Sequence, residues 1–111
     1  MNRGDLWTVV GGSDFLSKPR PAVVIQSNRH ITAESITICP LSSTASSAYE
    51  FRAGIQPTDE NGLIASSVAR ADLVTTVLQS RLGRRIGHLN PADLARVEQA
   101  IIQFLELDVS E

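Results

Sequence analysis

The sequence predicts a mainly β domain of the α+β class, a small and strongly bent sheet closed by one C-terminal helix. Two observations carry this. Up to residue 90 the apolar and β-branched residues come in runs of four to seven, punctuated by Gly, Pro, Asn and Ser. After Asn90 the spacing of apolar residues changes to three and four, the helical period. A chain of 111 residues holds one core. One domain is therefore expected over residues 1–111, with the sheet in residues 3–89 and the helix in residues 91–105. Six or seven short strands with a single helix suggest an SH3-like barrel.

Leu6-Trp7-Thr8-Val9-Val10 is aromatic and β-branched and stops at Gly11-Gly12, so it reads as a first strand ending in a flexible loop. Ala22-Val23-Val24-Ile25 and Ser35-Ile36-Thr37-Ile38-Cys39 read as central strands. Tyr49 to Ala53 alternates, and the loop after it contains Asn61-Gly62, a pair that favours a tight turn with positive φ. Leu63 to Ala69, Leu73 to Leu78 and a short Arg84 to Leu89 segment complete the strands. Asn90-Pro91-Ala92-Asp93 then supplies an N-cap, a proline at the first helical position and an acid three residues after the cap, like a capping box with Asp for Glu. Leu89 and Leu94 are placed to form the hydrophobic staple. Leu94, Val97, Ile101, Phe104 and Leu105 define one apolar stripe on about four turns of helix.

Composition excludes several classes. No apolar run approaches the roughly 20 residues that cross a bilayer. Met1-Asn2-Arg3-Gly4-Asp5 lacks an apolar signal core, so a cytoplasmic protein with no membrane partner is expected. The single Cys39 has no internal bridge to form and is expected to be reduced and buried. His30 and His88 stand on separate segments without metal-ligand spacing, and Gly11-Gly12 does not open a phosphate-binding helix, so neither a metal nor a nucleotide cofactor is expected. Residues 1–90 carry a net +2 and residues 91–111 a net −4. Nine of the ten basic residues are Arg, the better fork for phosphate or carboxylate oxygens.

Four places attract a functional reading. Arg20 lies between Pro19 and Pro21, whose fixed backbone holds the guanidinium base in place. It reads either as an oxyanion or phosphate binder or as a surface Arg at a strand start. Ser42 and Ser43 begin the polar run Ser42 to Ser47 after Cys39-Pro40-Leu41, offering hydroxyl donors at a loop mouth or serving only as loop. Arg70 and Asp72 share a face if residues 66–77 continue as one strand. They form either a simple ion pair or an acid–base and charge-stabilising pair.

These residues, in order, resemble the motifs of the MazF/PemK (Kid) toxins of type II toxin–antitoxin systems. The resemblance lies in Arg3-Gly4-Asp5-Leu6-Trp7, Arg20-Pro21-Ala22-Val23-Val24-Ile25 and Cys39-Pro40-Leu41-Ser42-Ser43. Val68-Ala69-Arg70-Ala71-Asp72 with Thr76 is similar to the Arg-x-Asp strand of the PemK/Kid branch, and the Asn90-Pro91 helix matches the family's last helix. The resemblance spans essentially the whole chain. It implies a CcdB/MazF-like SH3 barrel, a cytoplasmic homodimer and a metal-free, ribosome-independent endoribonuclease, or mRNA interferase. Such an enzyme cuts single-stranded RNA at a short sequence, leaving 2′,3′-cyclic phosphate and 5′-hydroxyl ends, and its cognate antitoxin fills the RNA groove with a disordered tail. Carried over, Arg20 becomes the phosphate stabiliser and Ser42, where the family usually has Thr, a donor to the scissile phosphate. Asp72 becomes the base, and Arg70 a charge neutraliser rather than an acid, since a guanidinium with a pKa of roughly 12.5 or more scarcely releases its proton. Lys18, Ser43, Thr44, Arg81 and Arg84 are the expected RNA contacts.

The chain also departs from the family pattern. The loop from Gly11 to Pro19 is short and lacks the His of the PemK/Kid branch. The Asp-Gln-x-Arg-Thr stretch reads Asp72-Leu73-Val74-Thr75-Thr76, leaving Arg81, Arg84 and Arg85 to replace the charge, while His88 is read as structural. Two alternatives use the same barrel: a CcdB-like gyrase-binding toxin, and a non-catalytic SH3-like protein-binding module. The first is anchored by a Trp near the C-terminus, and this chain ends Leu107-Asp108-Val109-Ser110-Glu111.

Overall fold

The computed structural model describes residues 1–10 and 18–107. The flexible loop expected after Gly11, with its reduced length, and the acidic end beyond Leu107 lie outside these residues. Strands β1 (Asp5–Val9), β2 (Arg20–Val24), β3 (Ser35–Ser42), β4 (Arg52–Ile55), β5 (Ser67–Arg70), β6 (Thr75–Leu78) and β7 (Leu82–His88) precede helix α1 (Pro91–Leu105). All recorded pairings are antiparallel, in the order β4-β5-β3-β2-β1-β7 with β6 also on β3. The sheet does not close, because β4 and β7 end the path without pairing each other. The expected barrel is thus a strongly bent open sheet with one C-terminal helix.

Alternation sorts the side chains to two faces. Leu6, Val23, Cys39, Leu41, Ile55 and Ala69 pack with Val97 and Ala100 of α1. Ala22, Val24, Ile36, Ile38 and Val77 pack on the other face with Trp7, Val9, Ile31 and Leu82. Burial on both faces explains why β2 reads as an unbroken apolar run rather than an alternating one.

Some boundaries differ from expectation. Strand β3 runs on through Pro40 to Ser42, because β3 changes partner there: Ser35 to Ile38 pair with β6, and Leu41 and Ser42 pair with β5. A proline, which lacks an N–H, falls where the β6 and β5 ladders meet. The Tyr49 to Ala53 strand is shifted, so that Tyr49 and Glu50 turn and pairing begins at Arg52. Leu63 to Ser66 stay outside the sheet and lead into β5. Residues 66–77 do not form one strand, since Ala71–Leu73 make a single 3-10 turn between β5 and β6. The last strand is long rather than short, seven residues from Leu82 to His88.

Helix α1 starts as the sequence predicts. Asn90 Oδ1 accepts from the Asp93 N–H at 2.7 Å and Pro91 occupies the first turn, while the Asp93 carboxylate turns to Arg96 Nη1 at 3.2 Å. Leu89 and Leu94 join the same core cluster. The buried stripe is shorter than expected: Val97 and Ala100 are buried, whereas Phe104 and Leu105 are 42% and 53% exposed. Gly62 takes the expected positive φ of 69°. Asn61 beside it is buried, its side chain accepting from the Thr58 and Leu63 N–H groups and donating to the Gln56 carbonyl.

Candidate functional site

The mouth of β2 gathers most of the polar residues that the sequence singled out. Lys18, Arg20 and Ser43 line one cavity of about 180 Å³ with Ser67, over an apolar floor of Pro19, Pro21, Leu41 and Leu63. An adjoining cavity of about 200 Å³ shares Pro19, Pro21, Leu63 and Ile64 and is bounded by Arg84 and Thr8. Arg20 also edges a third cavity, about 190 Å³, with Pro40, Thr75 and Arg81. Arg20, its backbone restrained by two prolines, therefore lines two of these three shallow cavities, and the flanking Pro21 lines all three. Arg81 is partly engaged, since its Nε donates to the Val10 carbonyl at 3.0 Å.

Strand register fixes the rest of the geometry. Ala22 pairs with Pro40, and the same register extended by two residues sets Arg20 beside Ser42, with Ser42 paired in turn to Val68. Arg20, Ser42 and Arg70 are thus on one face of the sheet by alternation. Arg70 lies on the second strand from Arg20, a span of roughly 10 Å across two strand spacings. The Ser42 hydroxyl accepts from the Thr44 N–H at 3.2 Å, so Thr44 closes a short turn over the end of β3.

Arg70 and Asp72 do meet, by a route other than strand alternation. The 3-10 turn folds Asp72 back onto Arg70, whose Nε and Nη2 donate to its two carboxylate oxygens at 3.1 and 2.6 Å. Arg52 Nη2 donates to Asp72 Oδ2 at 3.2 Å. The hydrogen bond from Arg70, aided by that from Arg52 and opposed by partial burial, holds the Asp72 carboxyl well below the usual carboxylate range. The same contact raises the Arg70 guanidinium further. Burial, with a smaller contribution from the Asp72 charge, pushes the Cys39 thiol up to about 12, so it stays protonated and inert as a nucleophile. Among the described residues no ion pair or hydrogen bond links the Arg20 group to Arg70 or Asp72 directly; Ser42 and Pro40 lie between them.

Two contributors were not legible beforehand. Arg52 reaches the site because β4 pairs with β5 in a register that sets it opposite Arg70, which no motif announces. Ile64, fully exposed, rims two of the cavities from a segment that the sequence assigned to a strand.

A model of the PemK-like, MazF-like toxins of type II toxin–antitoxin systems matches residues 2–105. The chain belongs to the PemK/MazF toxin family. It is 36% identical over 105 residues to a protein of Mycolicibacterium smegmatis named "Probable endoribonuclease MazF", covering 95% of this chain and 96% of that one. It is 32% identical over 117 residues to endoribonuclease MazF9 of Mycobacterium tuberculosis, covering 96% and 98%. Among solved structures, an endoribonuclease in complex with its cognate antitoxin from a mycobacterial species superposes with a TM-score of 0.79, at 22% identity over 99% of both chains. The open bent sheet with its one C-terminal helix is therefore the fold of this toxin family.

Proposed function

We propose that this MazF-like endoribonuclease toxin cuts single-stranded RNA by driving the ribose 2′-hydroxyl onto the adjacent phosphorus. The products are a 2′,3′-cyclic phosphate and a 5′-hydroxyl end, and no protein nucleophile or metal takes part. The observation that carries this is the convergence of Lys18, Arg20, Ser43, Arg81 and Arg84 on cavities around the β2 mouth, with Ser42 and Arg70 on the adjoining sheet face. In this reading Arg20 neutralises the phosphorane, Ser42 donates to a phosphate oxygen, and Arg70 adds charge at the far side of the phosphate. Lys18, Ser43, Thr44, Arg81 and Arg84 hold the flanking nucleotides. Asp72, kept ionised by two guanidiniums, orients the attacking hydroxyl and fixes Arg70 better than it takes up a proton. The functional unit is a cytoplasmic homodimer, and the antitoxin's disordered segment occupies the same cationic groove.

The test is incubation of the purified chain with a long single-stranded RNA in excess EDTA, beside Arg20→Ala, with the product ends mapped. Discrete cuts with 5′-hydroxyl ends that vanish in the variant are the expected result. Intact RNA with a folded, antitoxin-free protein would sink this reading.

A further inference from the structure

We propose that Arg52 is a positioning residue of the cleavage site, fixing the Arg70–Asp72 pair and tying it to the loop that carries Ser43 and Thr44. The inference rests on the endoribonuclease reading above and adds a residue that no motif assigns. Arg52 and Arg70 stand directly opposite each other on β4 and β5. Like charges so placed repel, and Asp72 between them makes the arrangement tenable. Arg52 Nη2 reaches Asp72 Oδ2 at 3.2 Å, the oxygen that Arg70 Nη2 reaches at 2.6 Å. The carboxylate is thereby gripped from two strands and loses its freedom to turn.

The other arm of the fork faces the loop. Arg52 Nη1 donates to the Ser46 carbonyl at 3.1 Å, within the segment that follows Ser42, Ser43 and Thr44. The guanidinium also lies against the stacked Tyr49–Phe51 ring pair, its central carbon 4.8 Å from the Tyr49 ring centroid and 5.6 Å from that of Phe51. Phe51 packs in turn on Phe104 of α1, with 5.1 Å between ring centroids. A side chain only 12% exposed, with its Nε buried and unpartnered among the described residues, is not a loose surface ion pair. Its planar fork spans from the Arg70–Asp72 pair to the hydroxyl-bearing loop, a bridge that a lysine, with a single point charge, reproduces only in part. Removing Arg52 frees the carboxylate to rotate and Arg70 to follow it. The loss therefore appears mainly in the rate of the bound complex, with only a small change in RNA affinity through the loop.

The experiment compares single-turnover cleavage and RNA binding for the wild type, Arg52→Met, Arg52→Lys, Asp72→Asn and the double variant Arg52→Met/Asp72→Asn, with folding checked by circular dichroism and thermal midpoint. Expected are a rate loss of about tenfold to hundredfold for Arg52→Met with Kd held within about twofold, and partial recovery in Arg52→Lys. Adding Arg52→Met to Asp72→Asn is expected to cost far less than it does in the wild type, because Arg52 acts chiefly through that carboxylate. The inference is overturned by an unchanged rate, by a loss carried wholly in Kd, or by an equal loss in the Asp72→Asn background. Should Arg52→Met fail to fold, Arg52→Lys decides: a folded Lys variant at the wild-type rate overturns the proposal, and a slowed one supports it. A wild type that leaves RNA intact overturns the endoribonuclease reading and this inference together, whereas an active wild type with an indifferent Arg52 overturns this inference alone.

Discussion

Asp72 accepts from Arg70 on β5 and from Arg52 on β4, so its ionisation is part of what holds the two strands at this corner. Its carboxyl titrates lower in the folded chain than in the unfolded one, where about 3.9 is ordinary. The stability it contributes is fully present above the unfolded value and is lost as pH falls from about 4 toward the folded value. The urea midpoint should accordingly fall between about pH 5 and pH 3, and less steeply in Asp72→Asn. Gly62 makes a second prediction at this scale. Its φ is 69°, and a Cβ there would stand 2.1 Å from the Ile86 carbonyl oxygen, so Gly62→Ala should cost about 2 kcal/mol or more, read from chemical denaturation. The Asn-Gly pair announced that glycine. Nothing comparable announced Arg52, whose part depends on which strand lies beside which.

Among the elements, α1 was the most legible and its burial the least. The cap, the proline and the three- and four-residue spacing are local facts, and Asn90→Ala should lower stability by about 1 kcal/mol because the Asp93 N–H loses its acceptor. How far the apolar stripe is covered depends on the length of sheet beneath it. Val97 is fully buried, whereas Leu105 is 53% exposed, so Val97→Ala should cost roughly 2 kcal/mol and Leu105→Ala less than about 0.5, both measurable by urea midpoint. The strands show the same division. Central β2 and the core of β3 were read from composition, but the ends of β4 and β5 were not. Tyr49 and Glu50 alternate like a strand, yet no partner lies beside them until Arg52. Leu63 to Ser66 are apolar enough for a strand and instead carry Ile64 to the rim of the cavities.

Over the whole molecule, net charge conceals a local cationic cluster. The chain is formally −2, while Lys18, Arg20, Arg81 and Arg84 gather around the β2 mouth. Binding to an uncleavable, 2′-O-methylated single strand should therefore weaken with salt. Arg20→Ala and Arg84→Ala should each reduce the logarithmic salt slope by about 0.7, the contribution of one phosphate contact on a single strand. A slope unchanged in both variants would remove these residues from the RNA contact set.

By itself the sequence determined a mainly β fold with a capped C-terminal helix, and its motif order already resembled the PemK/MazF toxins. Each of these depends on residues near one another along the chain, where turn chemistry, capping and periodicity act. Tertiary structure alone decided that the sheet stays open, that Asp72 is held by two guanidiniums rather than one, and that Arg20 stands between two cavities at the β2 mouth. Those outcomes depend on strand register and on which side chains meet across it, and a one-residue slip in register would reverse every face involved.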